Sequence, residues 1–278
     1  MTISQTAQVI DAGLKSDPAK VRRWGWWAVV EHRVLLIRSY WQTMLLTGIG
    51  SPFLYLLGMG AGLGVLVDQG KGVGGVPYLL FVAPALVLAT AMQTSSQENT
   101  FGVFGGFKWS NTFTAMRLTP MSPAQMAIGF QASVLVRVLP MVCFYVIALW
   151  VFRIGDPLGA LLLLPIGALL SISVGFAVMS WVSTQKDERG QLSFVDRFVI
   201  VPLTLFSGTY FPLETLPVYL RPIGWVSPLW HASELGRGAL YGAPVGITMT
   251  VVHLGYLVLL AAVCAWLSVR TFRKRLDG

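Results

Sequence analysis

Five stretches of this chain stay apolar for long enough to cross a bilayer as helix: residues 43–67, 78–97, 124–152, 157–183 and 246–269. About 20 apolar residues span the hydrocarbon core. Backbone polar groups at that depth are satisfied only in helices or closed barrels, and long runs without strict alternation are helical. A sixth run, 194–211, is weaker, because its clean apolar part begins after Asp196-Arg197 and stops at Pro212. Charged residues make up 12% of the 278, about half the usual share of a soluble domain, and the mean hydropathy is +0.67. These values exclude a disordered chain, a secreted disulfide scaffold and an ordinary cytosolic enzyme. The two cysteines, Cys143 and Cys264, lie inside apolar runs and are expected to be small buried hydrophobes.

Charge sets the number of crossings. Lys15, Lys20, Arg22, Arg23, Arg33 and Arg38 precede the first run, and Arg270, Arg273, Lys274 and Arg275 follow the last. Basic flanks face the cytoplasm, so both ends belong on one side and the crossings are even: six, not five. Lys108, Arg117, Lys186 and Arg189 then also fall inside, leaving Lys71, Arg153, Arg221 and Arg237 outside. From Lys20 to Tyr40, basic residues alternate with aromatic and aliphatic ones, the pattern of a helix lying in the membrane interface. Prolines at 212, 217, 222 and 228 interrupt an apolar segment, which predicts short broken helices dipping back into the outer leaflet. The expected fold is an all-α polytopic membrane protein with six transmembrane helices, an N-terminal interfacial amphipathic helix and re-entrant short helices before the last span. Its parts are a cytoplasmic tail and interfacial helix (1–41), a transmembrane domain (42–270) and a basic cytoplasmic tail (271–278).

No constellation for catalysis or metal binding emerges. His32, His231 and His253 are scattered without metal-ligand spacing, and no nucleophile elbow, His-Glu-x-x-His or catalytic carboxylate pair is present. There is no Gly-x-x-x-x-Gly-Lys-Ser/Thr phosphate loop either, so any ATP that drives this protein must bind another chain. The run Gly58-Met-Gly-Ala-Gly-Leu-Gly64 lies within the first span, where Gly58/Gly62 and Gly60/Gly64 have the spacing that lets membrane helices approach closely. Arg137 sits about 20 Å along the third span at 1.5 Å per residue. At that depth it is either a substrate-path or subunit-interface cation or a structural arginine paired with a carboxylate. Asp196 and Arg197 read as interfacial anchors, and Glu98 falls at the inner end of the second span. Glu234 and Arg237, three apart on one helical face, should form a salt bridge. Carboxylates in the spans are too few for a proton relay, which weighs against an ion-coupled transporter.

Several segments resemble the membrane subunits of type-2 ABC exporters. They are Ser51-Pro-Phe-Leu-Tyr-Leu-Leu-Gly-Met-Gly-Ala-Gly-Leu-Gly64, Tyr78-Leu-Leu-Phe-Val-Ala-Pro-Ala-Leu86, Glu98-Asn-Thr-Phe-Gly102 and Thr112-Phe-Thr-Ala-Met-Arg-Leu-Thr-Pro-Met-Ser-Pro123, followed by Phe211-Pro-Leu-Glu and Ser227-Pro-Leu-Trp-His-Ala-Ser-Glu-Leu-Gly-Arg237. The similarity runs from about residue 20 to 275, and its nearest branches are the permeases of nodulation-factor (lipo-oligosaccharide) exporters and of daunorubicin-resistance-type efflux. The resemblance implies two permease copies, identical or paralogous, joined to two ATPase subunits that hold ATP and Mg, with no cofactor in this chain and no nucleic acid partner. It implies export of a lipo-oligosaccharide, glycolipid or hydrophobic drug across a bacterial cytoplasmic membrane. It also places the ATPase contact at roughly 99–122, with Glu98, Lys108, Arg117 and Pro120 as coupling residues. Gly102, Gly105 and Gly106 depart from the family's pattern and are expected to make the start of that segment flexible, loosening its helical boundaries. Tyr210, Phe211, Trp225 and Trp230 near the outer mouth are either a stacking surface for substrate or an interfacial aromatic belt. With Arg137, Glu234 and Arg237 they make up the candidate substrate path or interface. The alternatives are an ion-coupled secondary transporter and a membrane scaffold without transport.

Overall fold

A computed structural model describes residues 18–38, 42, 50, 53–70 and 72–277. The described residues are helical almost throughout and contain no strand, only an isolated bridge between Val73 and Val76. Among the described residues ten helices follow one another, with a single 3-10 turn at Leu213–Thr215 besides: α1 (Pro18–Arg38), α2 (Phe53–Asp68), α3 (Tyr78–Lys108), α4 (Thr112–Arg117), α5 (Pro123–Val151), α6 (Pro157–Val182), α7 (191–206), α8 (Arg221–Val226), α9 (Pro228–Tyr241) and α10 (Ile247–Asp277). Four of them, α3, α5, α6 and α10, are long and apolar enough to cross a membrane. Much of the predicted first span, 43–49 and 51–52, lies outside the described residues; α2 is its remainder, with a π-helical turn over Gly58–Gly64. The weak 194–211 run is a short helix with a second π-turn at Asp196–Ile200, ending at Phe206.

Local chemistry explains where the spans begin. Ser122 caps α5 by accepting from the Gln125 amide at 3.2 Å, while the Gln125 side chain accepts from the Ser122 amide at 2.9 Å. This reciprocal pair and Pro123 at the first helical position are a strong start signal. At α6 the Asp156 carboxylate accepts from the Gly159 amide at 2.6 Å, again with proline next. At 26 to 31 residues, the four long helices measure about 39–46 Å at 1.5 Å per residue, more than the ~30 Å hydrocarbon core. They therefore project beyond it.

Helix α6 is the hub, packed on α3, α5, α9 and α10. Its contacts depend on glycine. A Cβ on Gly159 would collide with the Ala239 carbonyl of α9, and one on Gly175 with the Gln131 amide of α5. Gly236 of α9 sits close enough to Leu163, Leu88 and Pro84 that an added Cβ would meet each at 3.1–3.2 Å. The proline-broken segment is thus a set of short helices, as expected, and its longest member, α9, is packed beside three spans, α3, α6 and α10. Helix α1 crosses α5, where Gly129 admits the Trp26 carbonyl and Val29.

Two expectations are corrected. Gly102, Gly105 and Gly106 do not loosen the segment after the second span: all three are helical, because α3 continues to Lys108. Their missing side chains make room for rings. A Cβ on Gly102 would stand 2.7 Å from Phe130, one on Gly105 2.8 Å from Trp109, and one on Gly106 would overlap Phe113. Cys264 is buried, but Cys143 is exposed on α5.

Replacing Gly129 with Ala should destabilise the protein by about 1–3 kcal/mol through overpacking, whereas Gly62→Ala, with nothing within 4 Å, should not. Thermal unfolding of the two purified variants in detergent checks this; equal midpoints would refute the packing role.

Candidate functional site

A carboxylate shared by two guanidinium groups ties three helices together. Glu98 on α3 accepts from Arg33 Nη2 of α1 at 2.6 Å through Oε2, and from Arg137 Nη1 of α5 through Oε1. The Arg33 guanidinium also lies over the Phe130 ring, 4.7 Å from its centroid. Glu98 does not stand at a helix end; α3 runs ten residues further. Its side chain is 15% exposed, those of Arg33 and Arg137 19% and 31%. The cation on α5 is therefore met by a carboxylate on α3, the pairing expected of a charge carried on a membrane-spanning helix.

Just beyond Glu98 the helices share an amide and hydroxyl layer. Asn99 Nδ2 donates to Gln131 Oε1 at 3.0 Å and to the Ser95 carbonyl at 2.8 Å. Gln131 Nε2 and the Ser95 hydroxyl both donate to the Ser171 carbonyl, at 3.0 and 2.7 Å. All four residues are buried. None of the four is among the residues predicted from the sequence, although Gln131 within an apolar run and Asn99 just past the end of another were the available signal.

The end of the bundle where α3, α6 and α10 terminate is packed with aromatic rings. Phe107 of α3 lies 4.8 Å from Phe113 of α4 and 4.9 Å from Phe272 of α10, centroid to centroid, and Phe113 also meets Phe130 at 5.9 Å. Phe113 is 2% exposed. Around this cluster two exposed ion pairs bind α3 and α4 to their neighbours: Lys108 to Asp187 at 2.9 Å and Arg117 to Asp277 at 3.4 Å. The hydrogen bond from Lys108 holds the Asp187 carboxyl below the usual carboxylate range. Being depressed, it leaves the pair intact at neutral pH and breaks it only as acid passes below that lowered value. Pro120 is exposed in the turn from α4 to α5.

At the opposite end Arg237 of α9 is 4% exposed and saturated with partners. The salt bridge to Glu234 expected from their spacing is present at 2.7 Å. Arg237 also donates to the carbonyls of Phe81 (3.3 Å) and Gly208 (2.6 Å), and stacks 3.9 Å from the Phe81 centroid. His231 and His253, far apart in sequence, face each other with Nδ1 atoms 2.8 Å apart. Because His231 Nε2 donates to the Trp225 carbonyl at 3.0 Å, its neutral Nδ1 accepts and His253 donates. Of the predicted aromatics, Trp225 is 54% and Phe211 37% exposed, Trp230 packs edge-on to both histidines, and Tyr210 is half-buried against the cluster of Tyr78, Phe81, Val82 and Leu86. In α2, Gly60 faces Leu79, while Gly58 and Gly62 have open space.

The described residues hold no group of three or more metal-ligating side chains. The chain is thus a bundle of apolar helices with a buried polar layer and ion pairs between its members. It matches the family described as ABC-2 type transporter over residues 25–241. The chain belongs to that family: it is a multi-pass membrane protein, the permease subunit of an ABC transporter, a class that pairs with an ABC ATPase subunit. It is 30% identical to nodulation protein J of Neorhizobium galegae, over 90% of this chain and 94% of that protein. Against nodulation protein J of Rhizobium leguminosarum bv. viciae the identity is 28%, covering 90% and 95%. A probable multidrug ABC transporter permease of Escherichia coli, YbhR, is 24% identical over 58% of this chain and 43% of its own length.

Substituting Glu98 with Gln leaves two guanidinium groups without their shared anion and should cost about 2–4 kcal/mol. In that background Arg33→Gln should cost little more. A thermal-unfolding double-mutant cycle reads this; additive effects would show that the pair does not couple.

Proposed function

We propose that the chain forms, with a second identical or paralogous copy and two ATPase subunits holding ATP and Mg, an exporter of an amphipathic lipo-oligosaccharide across a bacterial cytoplasmic membrane. The reading of six crossings with both termini cytoplasmic accompanies it, supported by the basic residues gathered at one end. In this arrangement α1 lies in the interface, 42–270 forms the transmembrane domain, and the residues before and after it face the cytoplasm. The cargo reading is supported by near full-length similarity to nodulation protein J on both sides of the comparison. A hydrophobic drug is the second reading, supported by the partial match to a probable multidrug permease.

The observation that carries the mechanism is the ring cluster Phe107–Phe113–Phe130–Phe272, which welds α4 to α3, α5 and α10. Closure of the ATPase dimer would press on the α3–α4 hairpin, residues 99–122. Because the core there is close-packed, displacement of α4 passes to α5 and α10 rather than being absorbed. The Arg33–Glu98–Arg137 link then carries α1 along with α3 and α5, so that the bundle shifts between inward and outward openings as one body. Glu98, Lys108, Arg117 and Pro120 belong to this coupling apparatus. Arg137, Tyr210, Phe211, Trp225, Trp230, Glu234 and Arg237 line the substrate path or the interface between copies. The open face at Gly58 and Gly62 suits close approach of a second copy.

Purification from native membranes in mild detergent should bring down an ATPase chain with vanadate-sensitive hydrolysis; a lone chain without hydrolysis would refute the ABC complex. Arg117→Glu should leave assembly intact and lower transport per ATP hydrolysed. Lys108→Asp should do the same, and Asp187→Lys in that background should restore it. Unchanged transport in all three would remove the coupling role from this hairpin.

A further inference from the structure

At the basic end of the bundle a cavity of about 420 Å³ opens between the ends of α6 and α10, lined by Ser183, Thr184, Lys186, Thr271, Lys274 and Arg275. Three cations and three hydroxyl-bearing residues face it, and no carboxylate does. The walls are held rigid. The Ser183 and Thr271 hydroxyls bond across the two helices at 2.7 Å. Arg275 caps the end of α6, donating to the carbonyls of Val182 (3.3 Å), Ser183 (3.1 Å) and Gln185 (2.5 Å), and its guanidinium rests 4.3 Å from the Phe107 centroid.

The two lysines, by contrast, are uncommitted. Among the described residues neither Lys186 nor Lys274 forms an ion pair, and both are exposed. The acids closest to them in sequence are engaged elsewhere: Asp187 with Lys108, and Asp277 with Arg117. Depth identifies the kind of anion. Trp181 closes the apolar part of α6, and Trp266, with Arg270 5.4 Å from its ring, does so on α10. Tryptophans at such positions sit at headgroup level. Thr271 and Lys274 follow Trp266 by about 7–12 Å of helix rise, which sets the cavity among lipid phosphates. Basic pockets between membrane helices at this level suit anionic headgroups.

We propose that this cavity binds the phosphate of an anionic membrane lipid, with Lys186 and Lys274 as its charge partners and the Ser183, Thr184 and Thr271 hydroxyls as hydrogen-bonding partners. A lipid seated there would brace α6 against α10 at the end where α3 and α4 also dock.

Native mass spectrometry of the delipidated full-length chain, titrated with phosphatidylglycerol or phosphatidylcholine, tests this. The expected result is selective retention of phosphatidylglycerol, weakened tenfold or more in Lys186→Gln/Lys274→Gln. It should be preserved in Lys186→Arg/Lys274→Arg and in Arg153→Gln, a cation outside the cavity. Sodium phosphate and glycerol 3-phosphate are added as competitors. If they fail to displace the lipid, the lipid is the ligand; if they displace it at equal concentration, the phosphate site stands and its source is soluble, which overturns the membrane assignment. Equal retention by wild type and the Gln pair overturns the site. Purification of each variant from native membranes is the second readout: a Gln pair that keeps the lipid but no longer brings down the ATPase chain would make this a protein-docking surface instead. Should the Gln pair not fold, Lys274→Gln alone, expected to weaken retention severalfold, serves in its place.

Discussion

Helices in lipid gain little from hiding apolar side chains from one another, since the surrounding acyl chains are equally apolar. What holds this bundle is therefore close approach at small residues and the pairing of polar groups that have no water to turn to. Both meet on α6 and its neighbours. Gly159 brings α6 against the backbone of α9, and Gly175 lets the Gln131 amide reach across to the Ser171 carbonyl. The same economy operates at α1, which lies on α5 because Gly129 leaves a gap and Gln125 donates to the carbonyls of Val21 and Arg22.

Charge is arranged by the same constraint. Arg137 cannot stand alone at depth, and neither can Glu98; joining them, with Arg33 as third member, makes one connected object of α1, α3 and α5. The exposed pairs at Lys108 and Arg117 sit where water screens them and contribute little to stability. Their consequence is positional, since they orient the α3–α4 hairpin relative to the ends of α6 and α10. Rigid aromatic contacts inside and weak ionic contacts outside are consistent with the coupling role proposed for this hairpin.

The opposite end is built on a different plan. There the chain breaks into short helices at its prolines, and the carbonyls of Gly208 and Trp225 are satisfied by the side chains of Arg237 and His231, Arg237 also reaching the Phe81 carbonyl of α3. Irregular backbone beside spanning helices is tolerated only under such compensation. The buried arginine thus ties α9 to α3 and to the chain before it, and the imidazole pair closes α9 onto α10.

How much was legible beforehand follows from the range of each interaction. Apolar run length, cap residues and proline positions are local properties, and they placed α3, α5, α6 and α10 to within a few residues at their starts, together with the broken segment after Phe211. The Glu234–Arg237 pair was legible for the same reason, being three residues apart on one helix. Glycines 102, 105 and 106 misled because a local rule equates glycine with flexibility, whereas here the vacant volume is filled by rings from elsewhere in the bundle. Glu98 with Arg33 and Arg137, Asn99 with Gln131, and His231 with His253 are separated by 22 to 65 residues. The sequence by itself determined a helical membrane protein and its family, because hydropathy and ordered motifs are carried along the chain. Only the tertiary structure decided which charges meet, since that depends on which helix faces lie together.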